Sequence, residues 1–171
     1  MKKIVLIYGI IASVLIAGSS SLLLLLSKDN HHSSEWLGYL VMIIGLSMIF
    51  VGIKQYRDKN LGGVIGFAKS LQIGVLISLI AGLSYVASWE LYYQNSDQNF
   101  IEQYFNAHIE DMRSNGSSDS EISAMEQQKI DYAANYENFF YRILMTFMEI
   151  FPVGLVISFI SAFLLKTKRS K

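Results

Sequence analysis

The segment FMEIFPVGLVISFISAFLLK, residues 147–166, decides the class of fold. Past Glu149 it carries no charge until Lys166, and it holds the only proline of the chain, Pro152. A helix that crosses a bilayer needs about 20 predominantly apolar residues, because lipid offers no partner to an open backbone. Counted back from Lys166, that length places the upper boundary near Thr146. Glu149 then lies about 5 Å inside it at 1.5 Å per residue. A carboxylate this close to the edge reaches water at modest cost. Glu149 therefore reads first as a boundary marker. Two other readings stay open: an ion or proton site, and an ion pair with Arg142 seven positions earlier. Pro152 removes an amide from the helix ladder, which predicts a kink beside the carboxyl.

Working outward, three more stretches have the same character: 4–26, 36–53 and 71–93. The predicted fold is all-α, an integral membrane protein with four transmembrane helices spanning 4–26, 36–53, 71–93 and 146–165. Composition agrees, with 52% hydrophobic and 16% charged residues, against about 25% charged in an average soluble domain. The first stretch follows Lys2 and Lys3 but exceeds a typical signal h-region and ends without an A-x-A site, so it reads as a retained anchor.

Sidedness follows from the basic residues. Lys2, Lys3, Lys54, Arg57, Lys59, Lys69, Lys166, Lys168, Arg169 and Lys171 fall in the two termini and the 54–70 connection, where Asp58 is the one acid. Both termini are therefore expected in the cytoplasm. Trp36, Tyr39, Trp89, Tyr92, Tyr93 and Tyr141 cluster at the opposite, outer ends of the spans, as interfacial aromatics do.

Small residues mark the expected helix contacts: Gly9, Ser13, Ala17 and Ser21 in the first span, Gly66, Ser70, Gly74, Ser78 and Gly82 in the third, Gly154, Ser158 and Ala162 in the fourth. Such stripes let backbones approach closely where lipid supplies little hydrophobic drive. Gly38, Gly45 and Gly52 in the second span repeat at seven, a coiled-coil spacing. The stripes serve packing within one chain or between copies.

Residues 94–145 predict an extracytoplasmic amphipathic helical hairpin between helices 3 and 4. Ile101, Phe105, Ile109 and Met112 form one apolar face, and Ile122, Met125, Tyr132, Tyr136, Phe139 and Ile143 another, interrupted by Lys129. Asn115-Gly116 supplies a helix stop and Ser118 with Glu121 a capping box.

Candidate chemistry is sparse. Glu90, among Trp89, Tyr92 and Tyr93, sits at the matching outer end of the third span, so Glu90 and Glu149 are the candidate pair for sharing a proton or cation. The chain has no cysteine, and His31, His32 and His108 lack metal-ligand spacing. No nucleophile elbow, phosphate loop or dinucleotide fingerprint occurs. The zero net charge gives no field for nucleic acid. The expectation is a protein that is not an enzyme, with no cofactor and no metal, whose partners are the lipid bilayer and either further copies of itself or a membrane or extracytoplasmic protein.

The stretch GYLVMIIGLSMIFVGIKQYRDKNLGGVIGFAKSLQIGVLISLIAGLSYVASWELYY (38–93), with the acidic hairpin and the basic-ended last span, resembles a family of small bacterial inner-membrane proteins of unknown function, DUF4199. The resemblance covers nearly the whole chain. It implies four membrane helices, a bacterial inner membrane and hence a periplasmic hairpin, and it carries over no functional residues.

Overall fold

A computed structural model describes the backbone of residues 1–26, 34–95 and 100–167 and the side chains of 1–18, 37–95 and 101–167. All regular structure among these residues is helical: α1 Lys2–Leu26, α2 Ser34–Leu46, α3 Met48–Asn60, α4 Phe67–Asn95, α5 Phe100–Ser114, α6 Asp119–Tyr136 and α7 Phe139–Leu165. Among the described residues three rods are long and apolar enough to cross a membrane: Leu37–Asn60, Phe67–Asn95 and Phe139–Leu165. The expected first span falls on α1, whose side chains from Ser19 onward, Ser21 included, lie outside the described residues. So do the side chains of Trp36 and the His31–His32 pair.

The chain divides into two compact units, Met1–Ser88 with Phe147–Lys171, and Trp89–Thr146. In the first, a core of aliphatic side chains collects Ile16, Leu46, Ile49, Ile53, Ile77 and Ile150, all essentially inaccessible. The outward faces stay apolar. Val14, Leu83, Val156 and Leu164 are each more than half exposed. An apolar exterior around an apolar interior is what a chain surrounded by lipid presents.

α2 and α3 form one rod interrupted at Ser47, whose backbone stays helical (φ −60, ψ −19) while its hydroxyl donates to the Ile44 carbonyl at 2.6 Å. The rod continues to Asn60, past the expected end at Ile53, because the basic run 54–60 contains no helix breaker. It stops at Gly62 and Gly63, which take φ of 61° and 88°, a region that favours glycine. After this turn α4 starts at Phe67, four residues before the expected Leu71, and α7 starts at Phe139, seven before Thr146. The helix α7 runs unbroken through Pro152.

Most glycines of the packing stripes meet close neighbours; Gly66 and Gly38 have none among the described residues. A Cβ on Gly9 would lie 2.6 Å from Ile80, one on Gly52 would lie 2.7 Å from Ile77, one on Gly82 would lie 3.0 Å from Phe147, and one on Gly45 would collide with Ile16. Gly38 has no described atom within 4 Å of such a Cβ. In α1 the buried line runs Val5, Gly9, Ala12 and Ile16, with Ser13 and Ala17 only half-buried at its flank. A strict four-residue repeat drifts about 40° per step on a 3.6-residue helix; the contact face instead follows spacings of four, three and four.

The match between α4 and α7 is the closest. Gly74 lies against Ser158, and Gly154 lies against Ser78, so the two Gly-x-x-x-Ser pairs interlock antiparallel. Each serine hydroxyl reaches the carbonyl four residues back, Ser78 to Gly74 at 3.0 Å and Ser158 to Gly154 at 2.7 Å, and the two hydroxyls touch at 3.0 Å. Two hydroxyl protons thus serve three contacts. Both serines are fully buried, which makes this internal satisfaction necessary.

In the second unit α5 and α6 pack antiparallel: Phe105 meets Tyr132, Lys129 reaches Asn106 at 2.8 Å, and Arg113 pairs with Glu126 at 2.9 Å. Ile101, Phe105 and Ile109 are buried as their spacing predicts. The turn closes on Gly116 (φ 76°), with Ser117 N–H donating to the Met112 carbonyl and Gly116 N–H to that of Arg113, a Schellman arrangement. The Ser118–Glu121 capping box then starts α6. Ser118's backbone N–H and hydroxyl hold the Glu121 carboxyl below its ordinary range. The expected second face does not continue past Tyr136. The chain breaks helix at Glu137–Asn138, the Asn138 side chain caps the amides of Phe140 and Tyr141, and Phe139 is left 46% exposed.

Candidate functional site

The densest polar chemistry lies in the second unit, where the end of α4, the end of α6 and the start of α7 come together. Arg142 is buried, 6% exposed, although it is charged. Its guanidinium donates from Nη2 to Glu90 Oε1 at 2.6 Å and from Nε to Glu90 Oε2 at 2.8 Å. This is the two-pronged geometry that matches a planar guanidinium to a carboxylate. The remaining nitrogen, Nη1, donates to the Tyr136 carbonyl at 2.8 Å. That carbonyl ends α6 and has no helical partner of its own.

Aromatic rings enclose the pair. The guanidinium carbon lies 4.3 Å from the centre of the Tyr93 ring, with Tyr136 and Phe139 at 5.9 Å. The Trp89 indole N–H donates to the Tyr136 hydroxyl at 2.6 Å, and Tyr132 stacks on Tyr136 with ring centres 5.4 Å apart. Gln94 donates to Glu90 Oε1 at 3.0 Å, and Thr146 donates its hydroxyl to the Arg142 carbonyl at 2.8 Å. Burial pushes the Tyr136 hydroxyl up to about 12, against the opposing pull of the Trp89 N–H. Among the described residues no buried side-chain nitrogen or oxygen lacks a hydrogen-bond partner.

The sequence-predicted pair of carboxylates therefore takes separate partners. Glu90 is held by Arg142, in the second unit. Glu149 belongs to the first, on the exposed side of α7, with the Tyr85 hydroxyl 3.4 Å from each of its oxygens. Arg142, considered from sequence as a partner of Glu149, has its guanidinium engaged with Glu90. No group of three or more metal-ligating side chains occurs among the described residues. Chemically, the cluster is a closed set of donors and acceptors that locks three helix ends together.

Comparison with known proteins adds one result. Residues 6–167 match the family model described as protein of unknown function (DUF4199). The chain belongs to this family. No curated protein and no solved structure matches it. The family model reaches from α1 across the Glu90–Arg142 cluster to Thr167, so the cluster lies inside the matched region of this DUF4199 chain.

Proposed function

We propose that this DUF4199 protein is a non-enzymatic, four-span protein of a bacterial inner membrane, with both termini in the cytoplasm. The unit Trp89–Thr146 would stand on the periplasmic side as a rigid helical hairpin and serve as the contact surface for another copy or for a membrane or periplasmic partner. One observation carries this reading: the buried charges and hydroxyls of the unit are spent on each other. A reaction centre needs a nucleophile, a base or an open coordination site; a docking platform needs a fixed shape. The same unit leaves Ile130 62% and Phe140 79% exposed, apolar groups of the kind that anchor contacts.

Photo-crosslinkers placed at Ile130 and Phe140 in cells test it. The expected result is a discrete crosslinked species that disappears with Phe140→Asp. Failure to capture any species at either position refutes the platform. Because the chain has no cysteine, single cysteines at Ser117 and Lys59 report sidedness. An impermeant maleimide should label the first and not the second in intact cells.

A second reading, ion or proton coupling, rests on Glu149 alone, since Glu90 is neutralised by Arg142. Its support is an exposed carboxyl inside an apolar helix with a tyrosine hydroxyl beside it. Flux in liposomes that depends on Glu149 and is lost in Glu149→Gln would favour this reading over the platform.

A further inference from the structure

The first unit gathers positive charge where α3 ends, α4 begins and α7 finishes. Lys54, Lys59, Lys69 and Lys166 have no carboxylate within ion-pair distance among the described residues; the one acid nearby in sequence, Asp58, is committed to Arg57 at 2.6 Å. Tyr8 of α1 lines the same shallow cleft as Lys54 and Lys59, so α1 borders this region, with Lys2 and Lys3 exposed in its first turn.

A specific link fixes the arrangement. Thr167 accepts the Ile65 N–H on Oγ1 at 2.7 Å and returns its own N–H to the Ile65 carbonyl at 2.9 Å, across 102 positions of chain. Ile65 is fully buried, so the turn is anchored beneath this clamp. The Gly63 N–H folds back to the Arg57 carbonyl at 3.0 Å. The basic end of α3, the turn and the chain leaving α7 are thereby held as one surface, and the sequence continues at once into Lys168, Arg169 and Lys171.

The cations do not stand in a polar setting. Leu61 is 40%, Val64 45% and Phe163 56% exposed, and the Lys166 ammonium lies 3.9 Å from the centre of the Phe163 ring. Ammonium groups alternating with outward apolar side chains suit the boundary where phosphate headgroups meet acyl chains. A free phosphate would use the charges and leave Leu61, Val64 and Phe163 in water.

We infer that this surface binds the headgroups of anionic phospholipids, with Lys59, Lys69 and Lys166 on the phosphates and the Ile65–Thr167 clamp holding the third lysine in place. The inference rests on the membrane reading above. It is tested with the full chain in nanodiscs of phosphatidylcholine alone or mixed with phosphatidylglycerol, followed by mass spectrometry of the lipids retained on release. Three lysines near an anionic surface predict a preference for phosphatidylglycerol of roughly tenfold or more. The triple variant Lys59→Gln, Lys69→Gln, Lys166→Gln should enter nanodiscs normally and lose that preference. Thr167→Val should weaken it while keeping every charge.

Equal retention of both lipids by the natural chain would overturn the inference, as would a preference that survives in the triple variant. Loss of the preference on adding soluble glycerol phosphate would mean a free-phosphate site in place of a lipid surface. A chain that never enters nanodiscs would instead sink the membrane reading itself.

Discussion

Glu90 and Arg142, 52 positions apart in the chain, meet through two parallel N–H to oxygen bonds of 2.6 and 2.8 Å, with their side chains only 14% and 8% exposed. A buried pair is costly to desolvate, and its intact form often adds little net stability. What it does enforce is matching: either partner alone is a buried, unpaired charge. Three helix ends are thus tied to one geometry by the penalty for parting.

The first prediction follows from that asymmetry. Arg142→Met or Glu90→Leu alone should lower the stability of the Trp89–Thr146 unit by about 3–5 kcal/mol. The double replacement should cost clearly less than the sum of the two. Thermal unfolding in detergent, followed by Trp89 fluorescence and analysed as a double-mutant cycle, measures the coupling. Strict additivity would show that the pair is not held as described.

Tyr136 gives a pH dependence. Its folded hydroxyl is raised from 10 to about 12, so the folded unit favours the neutral phenol. The associated stability is fully present below pH 10 and is lost as pH rises through 12. The size is about 2–3 kcal/mol. Tyrosine absorbance should show one late-ionising group that is missing in Tyr136→Phe. Alkaline loosening of the unit should fall in the same window, and unfolding complete well below pH 10 would contradict this.

The cap of α6 behaves in the opposite sense. Ser118 depresses the Glu121 carboxyl, so the cap's contribution is present above the ordinary carboxylate range and fades as pH falls through the lowered value. Ser118→Ala should cost about 1 kcal/mol. Amide exchange at the first turn of α6 should rise in this variant, and in the natural chain at acid pH. Unchanged protection in both would argue against the capping box.

Local features of this kind were legible in the sequence because they involve neighbours. Gly116 and the Ser118–Glu121 box both fix the backbone within a few residues, and the structure places them as expected. The apolar rods were legible from length alone. The α4–α7 stripe was also readable, since Gly74, Ser78, Gly154 and Ser158 repeat at one spacing. The Glu90–Arg142 pair was not, because sequence order presented Arg142 beside Glu149 on one helix. The usable signal was chemical: each stands beside a run of aromatics, and their charges are opposite. Ile65–Thr167 left no signal, for a buried isoleucine in a turn and a threonine after a helix are ordinary residues until the fold joins them.

The last prediction concerns the interlocked helices α4 and α7. In an exposed helix, glycine to alanine gains about 1 kcal/mol from backbone entropy. At Gly154 the new Cβ would lie 2.8 Å from both Cβ and Oγ of Ser78. A Cβ fixed to a neighbouring backbone cannot swing aside, so the helices must part, and parting also breaks the 3.0 Å contact between Ser78 and Ser158. Gly154→Ala should therefore destabilise the first unit despite its better propensity. Gly38→Ala, with no described atom within 4 Å of the new Cβ, should be neutral or stabilising. The decisive variant is the compensated pair Ser78→Gly with Gly154→Ala, which moves the methylene from one helix to the other. If its Tm in detergent recovers most of the loss seen in Gly154→Ala, the close approach of these two backbones is what the glycine serves. If the loss persists unchanged, the two residues do not face each other.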